Sequence, residues 1–195
     1  MLKLYYYMGR PIMPRWLLEE MAEPYELITF DMQKKDQKTP AYLAINPLGK
    51  LPALDVDGRV MTEAAAILLY LADLRPEKRF APALDDPERG RYLTLMVHGP
   101  AALEPAIIDQ VTKREWTDTN GWGTLEEEYA FVEKHLGDGP WMLGERFTAA
   151  DVEIGGQLVW ATMLKIELPP KLADYVKRLM ARPALAQLHA EQAGG

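Results

Sequence analysis

The sequence of 195 residues contains no cysteine and only three histidines. Without cysteine the chain can form neither a disulfide bond nor a thiolate metal site, and it has no protein thiol to act as a nucleophile. The histidines, His98, His135 and His189, lie far apart and match no zinc-ligand spacing. We therefore expect no metal site. The lack of cysteine fits a reducing compartment without requiring one.

The sequence also lacks an excess of positive charge and a long apolar run. Its 29 acidic residues outnumber its 22 basic ones, and the whole excess lies beyond residue 80. A nucleic-acid binder needs a concentrated positive surface, which this balance does not supply. The longest apolar run, residues 64–72, is under half the length that spans a bilayer. Since residues 1–4 also begin no signal peptide, we expect a soluble, cytoplasmic protein with no nucleic-acid or membrane partner.

What the sequence does contain is enough apolar surface, 48% of its residues, for a folded core. Hydrophobic periodicity and turn residues divide the chain in two. Over residues 1–78 they predict an α/β domain with a mixed sheet. Its predicted strands are 2–7, 25–30, 53–56 and 59–62. Its predicted helices are one with Pro14 in the first turn, one at 39–45 and one at 63–74. The last two strands form a hairpin, because Asp57-Gly58 between them is a preferred type I′ turn pair.

Residues 79–87 have the composition of a linker, and strand patterns disappear beyond them. Residues 88–195 are predicted to form an all-α domain. Its helical patterns cover 89–113, 125–136 and 148–165, with a last stretch from 171 that is broken at Pro183. The start of the third pattern is the most informative. Thr148 and Asp151 have capping-box spacing, with Phe147 and Val152 placed as a hydrophobic staple, which suits a helix buried within a bundle.

Two features of the first domain indicate a ligand. Leu51-Pro52 enters a predicted strand although proline cannot donate to a sheet, and a cis bond there would leave the backbone of Leu51 facing outward. Such a backbone can pair with an extended peptide. A few residues later, Glu63 and Ala64 begin a helix whose free N–H groups suit a carboxylate, beside an acidic side chain suited to an ammonium group. Taken singly, a trans proline and an ordinary helix start explain each feature as well.

Taken together and in this order, the motifs resemble those of the glutathione transferase family over nearly the whole chain. They are the strand with a tyrosine run, W-L-L-E-E (16–20), N-P-L-G-K-L-P-A-L (46–54), T-E-A-A-A-I-L-L-Y-L-A-D (62–73) and G-E-R-F-T-A-A-D (144–151). The resemblance implies a thioredoxin-like N-terminal domain with a mixed four-stranded sheet and an all-helical C-terminal domain. It also implies a homodimer that binds glutathione, without a metal, mainly through the first domain.

The resemblance assigns glutathione contacts to particular residues. Leu51, before a cis Pro52, should pair its backbone with the cysteinyl part, while Lys50 and Gln37 should meet the glycyl carboxylate. Glu63 and the N–H of Ala64 should hold the γ-glutamyl end. The family usually has serine where this chain has Ala64, so one hydrogen bond to the ligand carboxylate is lost, and weaker binding is expected.

The sequence leaves several candidates for the group that activates the thiol. Residues 9–13 offer no hydroxyl or thiol at the start of the first helix, where many members have one. Members of the tyrosine type donate from the end of the first strand. Matching that strand end favours Tyr6, Tyr7 lies closer to the loop, and Arg10 offers a positive charge. Each residue also has an ordinary structural explanation, namely core packing for the tyrosines and a solvated loop charge for Arg10.

The resemblance implies attack of the glutathione thiolate on a small apolar electrophile. Met8, Pro11 and residues 98–102 are expected to line the pocket for this second substrate. Isomerase or peroxidase reactions use the same thiolate and are not separated from conjugation by the sequence. The alternative is a non-catalytic glutathione-binding or regulatory protein of the same fold, which Ala64 and the missing hydroxyl favour.

Overall fold

The first part of the chain alternates strands and helices around one sheet. The computed structural model describes residues 1–7 and 12–194. Its first elements are β1 (Leu2–Tyr6), α1 (Ile12–Glu20), β2 (Tyr25–Thr29), α2 (Pro40–Leu43), β3 (Ala53–Val56), β4 (Arg59–Thr62) and α3 (Ala64–Leu74). The strand order is β2-β1-β3-β4, with β1 parallel to β2 and the other neighbouring pairs antiparallel. The mixed four-stranded sheet predicted from the sequence is confirmed.

Local turn chemistry explains why β3 and β4 have the predicted bounds. Asp57 and Gly58 both have positive φ, 52° and 84°, as a type I′ turn requires. The other first-part elements differ from prediction at their ends. Strand β2 ends one residue early, although the Phe30 N–H still donates to the Tyr6 carbonyl at 2.8 Å. Helix α2 ends at Leu43, two residues before the predicted end.

The second part of the chain is all-helical, as predicted. Its elements are α4 (Arg89–His98), a π-helical turn (Gly99–Leu103), α5 (Glu104–Thr112), α6 (Leu125–Leu136), α7 (Ala149–Met163), α8 (Pro170–Met180) and α9 (Pro183–Gly194). In the described part of the chain, no helix has both the length and the apolar character needed to cross a membrane. The division into domains at residues 79–87 stays a prediction.

The predicted helix over residues 89–113 is interrupted. The π-helical turn separates α4 from α5, and the Glu104 N–H bonds to the Gly99 carbonyl five residues back. Pro100 has no N–H to donate, so the regular α-helical hydrogen-bond pattern cannot continue through it. Such wide turns occur mainly as single insertions in helices and often at functional sites. This one places Pro100 at the cleft described below.

Helix α7 is the core of the helical part, since residues 149–159 are all buried. Its start is held by the predicted Thr148–Asp151 pair. The Thr148 N–H and Oγ1 donate to Asp151 Oδ2 at 2.8 and 3.2 Å. Asp151 Oδ1 accepts from the Met142 N–H at 2.7 Å and the Tyr175 hydroxyl at 2.9 Å. Burial raises the pKa of Asp151 to about 6, while these four donors lower it.

Contacts between the two parts hold the sheet against the helices. Arg182 donates from Nε and Nη2 to the two carboxylate oxygens of Glu20 on α1, each at 2.6 Å. Its guanidinium also lies 3.6 Å from the ring centroid of Phe147, the residue before the α7 cap. The Ala149 N–H donates to the Phe80 carbonyl at 2.8 Å. The start of α7 is therefore fixed against the first part as well as within the second.

We expect Thr148→Ala to lower the free energy of unfolding by about 1 kcal/mol, up to about 2, because the hydroxyl at a helix N-cap is lost. Thr148 is fully buried, so water cannot replace the hydroxyl. Urea denaturation followed by circular dichroism measures the change. Thr148→Ser, which keeps the hydroxyl, is the matched control and should recover most of the loss. Equal midpoints for the alanine variant and the unmodified protein would contradict a stabilising cap.

Candidate active site

A cleft of about 480 Å³ lies between the sheet part and the helical part. It is lined by all six residues that the sequence assigned to glutathione: Gln37, Lys50, Leu51, Pro52, Glu63 and Ala64. These residues come from three separate stretches of chain, namely the turn before α2, the loop before β3 and the start of α3. The fold therefore brings together groups that are up to 27 positions apart in the sequence.

The loop before β3 presents the backbone of Leu51. The Leu51–Pro52 peptide bond is cis, as the sequence predicted. The carbonyl of Lys50 accepts from the Tyr42 hydroxyl at 2.7 Å and from Asn46 Nδ2 at 2.9 Å, which anchors the loop on both sides. Among the described residues, the backbone of Leu51 makes no hydrogen bond. Its N–H and carbonyl are therefore available to an extended ligand.

Gly49 lets the same loop pack directly on the turn that carries Gln37. Its φ is +56°, and a Cβ built there would lie 2.6 Å from the Gln37 carbonyl oxygen. Lys38 Nζ donates to the Leu48 carbonyl at 2.8 Å and ties the two segments together. The side-chain Oε1 of Gln37 is buried and has no hydrogen-bond partner among the described residues. This close packing positions Gln37 and Lys50 on one wall of the cleft.

The start of α3 is suited to an anion. Glu63, its N-cap, has a φ of 69° and makes no side-chain capping bond. No acidic residue lies in the first turn, so the N–H groups of Ala64 and Ala65 keep the positive potential of a helix N-terminus. A left-handed conformation costs a non-glycine residue about 1–2 kcal/mol, and such strain clusters at functional sites.

The two tyrosines at the end of β1 lie in different environments. Tyr6 alternates with Leu4 on the core face, is 1% exposed and does not line the cleft; the Arg15 guanidinium lies 5.4 Å from its ring centroid. Tyr7, one residue on, lines the cleft. Because side chains alternate across a strand, matching the strand end could not distinguish the two faces. Arg10, Met8 and Pro11 lie outside the described residues.

Part of the predicted second-substrate pocket lies elsewhere. From residues 98–102, Pro100 lines the cleft. His98 instead stacks on Phe131 with ring centroids 3.9 Å apart, and its Nε2 lies 2.8 Å from Glu128 Oε2 without hydrogen-bond geometry. Burial lowers the pKa of His98, and His135 lowers it further, against the attraction of Glu128. His98 therefore belongs to the packing of α4 on α6, because its ring faces that helix.

The polar residues of the helical wall were not predicted from the sequence. Gln157 Nε2 donates to Glu104 Oε2 at 3.1 Å and to Glu153 Oε1 at 3.2 Å, and all three residues line the cleft. The signal for them is the four-residue spacing of Glu153 and Gln157 in a largely apolar helix, which puts both on one face. In the described part of the chain, no group of three histidine, aspartate or glutamate side chains could hold a metal ion.

Comparison with known proteins identifies the family. Residues 1–73 match the N-terminal domain of glutathione S-transferase, and residues 100–178 match its C-terminal domain. Glutathione S-transferase GstA of Escherichia coli O157:H7 is 30% identical over 173 residues, which cover 85% of this chain and 86% of that protein. The chain belongs to the glutathione S-transferase family. The resemblance inferred from the motifs is thus confirmed.

Other members of the glutathione S-transferase family are similar over most of the chain. A maleylacetoacetate isomerase of Pseudomonas aeruginosa is 32% identical over 172 residues, covering 79% of this chain and 77% of that protein. A glutathione transferase of Methylococcus capsulatus is 32% identical, with a TM-score of 0.83 and 99% of each chain covered. A sphingomonad glutathione S-transferase complexed with glutathione is 26% identical, with a TM-score of 0.80 and 98% covered in each. The thioredoxin-like fold and the transferase class are confirmed at the level of the family.

Gly49→Ala should distort the loop that presents Leu51, because the new Cβ would clash with the Gln37 carbonyl oxygen. The positive φ at this position is also unfavourable for alanine. Gly58→Ala is the matched control, since Gly58 has a φ of +84° but nothing within 4 Å of the added Cβ. Both variants should lose about 1–2 kcal/mol of stability from the left-handed conformation. Only Gly49→Ala should also weaken glutathione binding, measured by isothermal titration calorimetry. Equal affinities in the two variants would show that this packing does not shape the site.

Proposed function

We propose that this chain is a glutathione transferase that binds glutathione in the cleft and activates its thiol for attack on a small apolar electrophile. The observation that carries the proposal is the convergence on one cleft of the six residues assigned to glutathione by the family resemblance, together with Tyr7. The cleft also reaches the helical wall, which leaves room for a second substrate beside glutathione.

Each part of the tripeptide has a complementary group. The unpaired backbone of Leu51 binds the cysteinyl part as a short antiparallel strand. Lys50 and Gln37 bind the glycyl carboxylate, through charge and an amide donor respectively. At the other end, Glu63 binds the γ-glutamyl ammonium group, and the N–H of Ala64 binds its carboxylate at the helix N-terminus.

Tyr7 is the donor that stabilises the thiolate in this proposal. It replaces Tyr6 in that role because Tyr7 lines the cleft, whereas Tyr6 is buried in the core. The thiolate is the nucleophile, so a hydrogen bond to the charged sulfur lowers the pKa of the thiol and raises the reactive fraction at neutral pH. The role of Arg10 stays a prediction.

We expect Tyr7→Phe to keep most of the glutathione affinity while raising the pKa of the bound thiol. Loss of a charge-assisted hydrogen bond of about 1.5–3 kcal/mol corresponds to a shift of roughly one to two pH units. Turnover near neutral pH should fall about ten- to a hundredfold and recover partly as the pH rises. The pH–rate profile with chlorodinitrobenzene measures this shift.

Tyr6→Phe is the matched control for that measurement. It removes a hydroxyl from a tyrosine that does not line the cleft, so the pH–rate profile should match that of the unmodified protein. A shift in Tyr6→Phe with none in Tyr7→Phe would reverse the assignment. A shift in neither variant of an active enzyme would assign activation to other groups.

Ala64→Ser should strengthen glutathione binding. The hydroxyl would add a hydrogen bond to the γ-glutamyl carboxylate, and bonds to charged groups contribute about 1.5–3 kcal/mol. That range corresponds to roughly ten- to a hundredfold tighter binding in calorimetry. Ala66→Ser, two positions along the same helix, is the control and should leave the affinity unchanged. If Ala64→Ser does not bind more tightly, the γ-glutamyl end lies elsewhere.

A non-catalytic glutathione-binding protein is the second candidate function, and Ala64 is the observation that favours it. Retention on a glutathione resin without conjugation of chlorodinitrobenzene would support that candidate. Retention with turnover would support the enzyme. Isomerase and peroxidase reactions, which use the same thiolate, are tested on the same preparation with a cis-configured unsaturated diketone and an organic hydroperoxide.

We also propose that the protein is a cytoplasmic homodimer. Leu93 and Val97, one turn apart on α4, are 40% and 59% exposed, and Val60 on the edge strand β4 is 41% exposed. Exposed apolar side chains on surface elements are one feature of a self-association surface. Light scattering across a concentration series measures the association.

A further inference from the structure

A buried carboxyl group lies in the cleft on the wall opposite the residues assigned to glutathione. Glu153 on α7 is 1% exposed and lines the cleft. Its Oε1 accepts from Gln157 Nε2, whereas its Oε2 has no hydrogen-bond partner among the described residues. Leaving a buried carboxyl oxygen unpaired is unfavourable, so a polar group that enters the cleft beside it would be stabilised.

The surroundings of Glu153 hold it in place. The backbone of Gly99, in the π-helical turn, packs on the carboxyl group, since a Cβ there would lie 2.5 Å from Oε1. Gln157 links Glu153 to Glu104 on α5, and both carboxyl groups accept from the same amide nitrogen. A side chain fixed in this way has little conformational freedom.

No cation neutralises Glu153 within the described part of the chain. Next to it on α7, Gly155 packs on Leu179 of α8 and Gly156 on Met13 of α1, both apolar. The other charged residues that line the cleft are Glu104, beside it, and Lys38, Lys50 and Glu63 from the sheet part. Burial raises the pKa of Glu153 to about 7, with the Gln157 bond acting in the opposite direction. A carboxylic acid with that pKa can hold and transfer a proton near neutral pH.

We propose that Glu153 is a catalytic residue that donates a proton to electrophiles activated by a carbonyl group, such as α,β-unsaturated carbonyl compounds. The inference rests on the proposed transferase function. The glutathione sulfur bonds to the β-carbon, the electron pair of the C=C bond shifts toward the carbonyl, and the carbonyl oxygen takes the proton from Glu153. The enol then exchanges protons with water to give the saturated carbonyl product, and the Glu153 carboxylate regains a proton from water.

Two kinds of electrophile should differ in their need for a proton donor. Addition to an enone places negative charge on an oxygen that stays in the substrate, so a proton donor stabilises the transition state. Displacement of a halide sends the charge away with the leaving group, and no carbonyl oxygen is protonated. Loss of the Glu153 carboxyl group should therefore slow addition to the enone and leave displacement of the halide unchanged.

The experiment compares benzylideneacetone, an enone, with benzyl chloride, a halide that carries the same ring. Glu153→Gln keeps the size and a hydrogen-bond donor but cannot transfer a proton. The ratio of kcat/KM for the enone to kcat/KM for the halide should fall about 100-fold, within the range of general acid catalysis. Glu145→Gln, which changes an exposed glutamate of the same domain, is the matched control and should keep the ratio.

The pH dependence provides a second readout. For the enone, kcat/KM should rise as the thiol ionises and then fall above about pH 7 as Glu153 loses its proton. Benzyl chloride should show the rise alone, and Glu153→Gln should lose the falling limb for the enone. If Glu153→Gln does not fold, the difference between the two profiles of the unmodified protein decides the question.

An equal loss for both substrates in Glu153→Gln, or no loss for either, would overturn the role of Glu153 while leaving the transferase function standing. Identical pH profiles for the two substrates would overturn it as well. If the unmodified protein conjugates neither benzyl chloride nor chlorodinitrobenzene, the proposed function itself fails, and this inference fails with it.

Discussion

The buried carboxylate of Asp151 is the constraint on which the rest of the structure depends. It accepts hydrogen bonds from Thr148, Met142 and Tyr175, which belong to the helix start, the preceding loop and α8. A charged group this deep is tolerated only when its oxygens accept hydrogen bonds, so all three partners must be in place in the folded protein. Their positions determine where α7 begins and which of its faces packs on each neighbouring element.

The fixed start of α7 determines which of its side chains line the cleft. Because its start is fixed, Gly156 meets Met13 of α1, while Glu153 and Gln157 line the cleft. The opposite wall is built independently, by the loop that Tyr42 and Asn46 hold through the Lys50 carbonyl. The cleft therefore joins the unpaired backbone of Leu51 from the sheet part to the acidic side chains Glu104 and Glu153 from the helical part.

Most of the sheet part, and the loops through which it lines the cleft, could be predicted because their signals are local. Asp57-Gly58 specifies a tight turn wherever it occurs between two strands, and Pro52 at a strand entry indicates a bend. The residue that reaches the cleft from β1 could not be predicted in the same way. Tyr6 and Tyr7 have the same chemistry and adjacent positions, and only the packing of β1 on the core decides which one is buried.

The sequence by itself determined most of the elements, the capped start of α7, the family and the six residues that meet on one side of the cleft. Each follows from hydrogen bonding and periodicity within a few residues, or from motifs that occur at compatible spacing along the chain. Tertiary structure alone decided that His98 turns to α6 and that Pro100, Glu104, Glu153 and Gln157 meet at the cleft. Such encounters depend on how α4, α5 and α7 pack in three dimensions, and contacts between residues some 50 positions apart leave no periodic trace in the sequence.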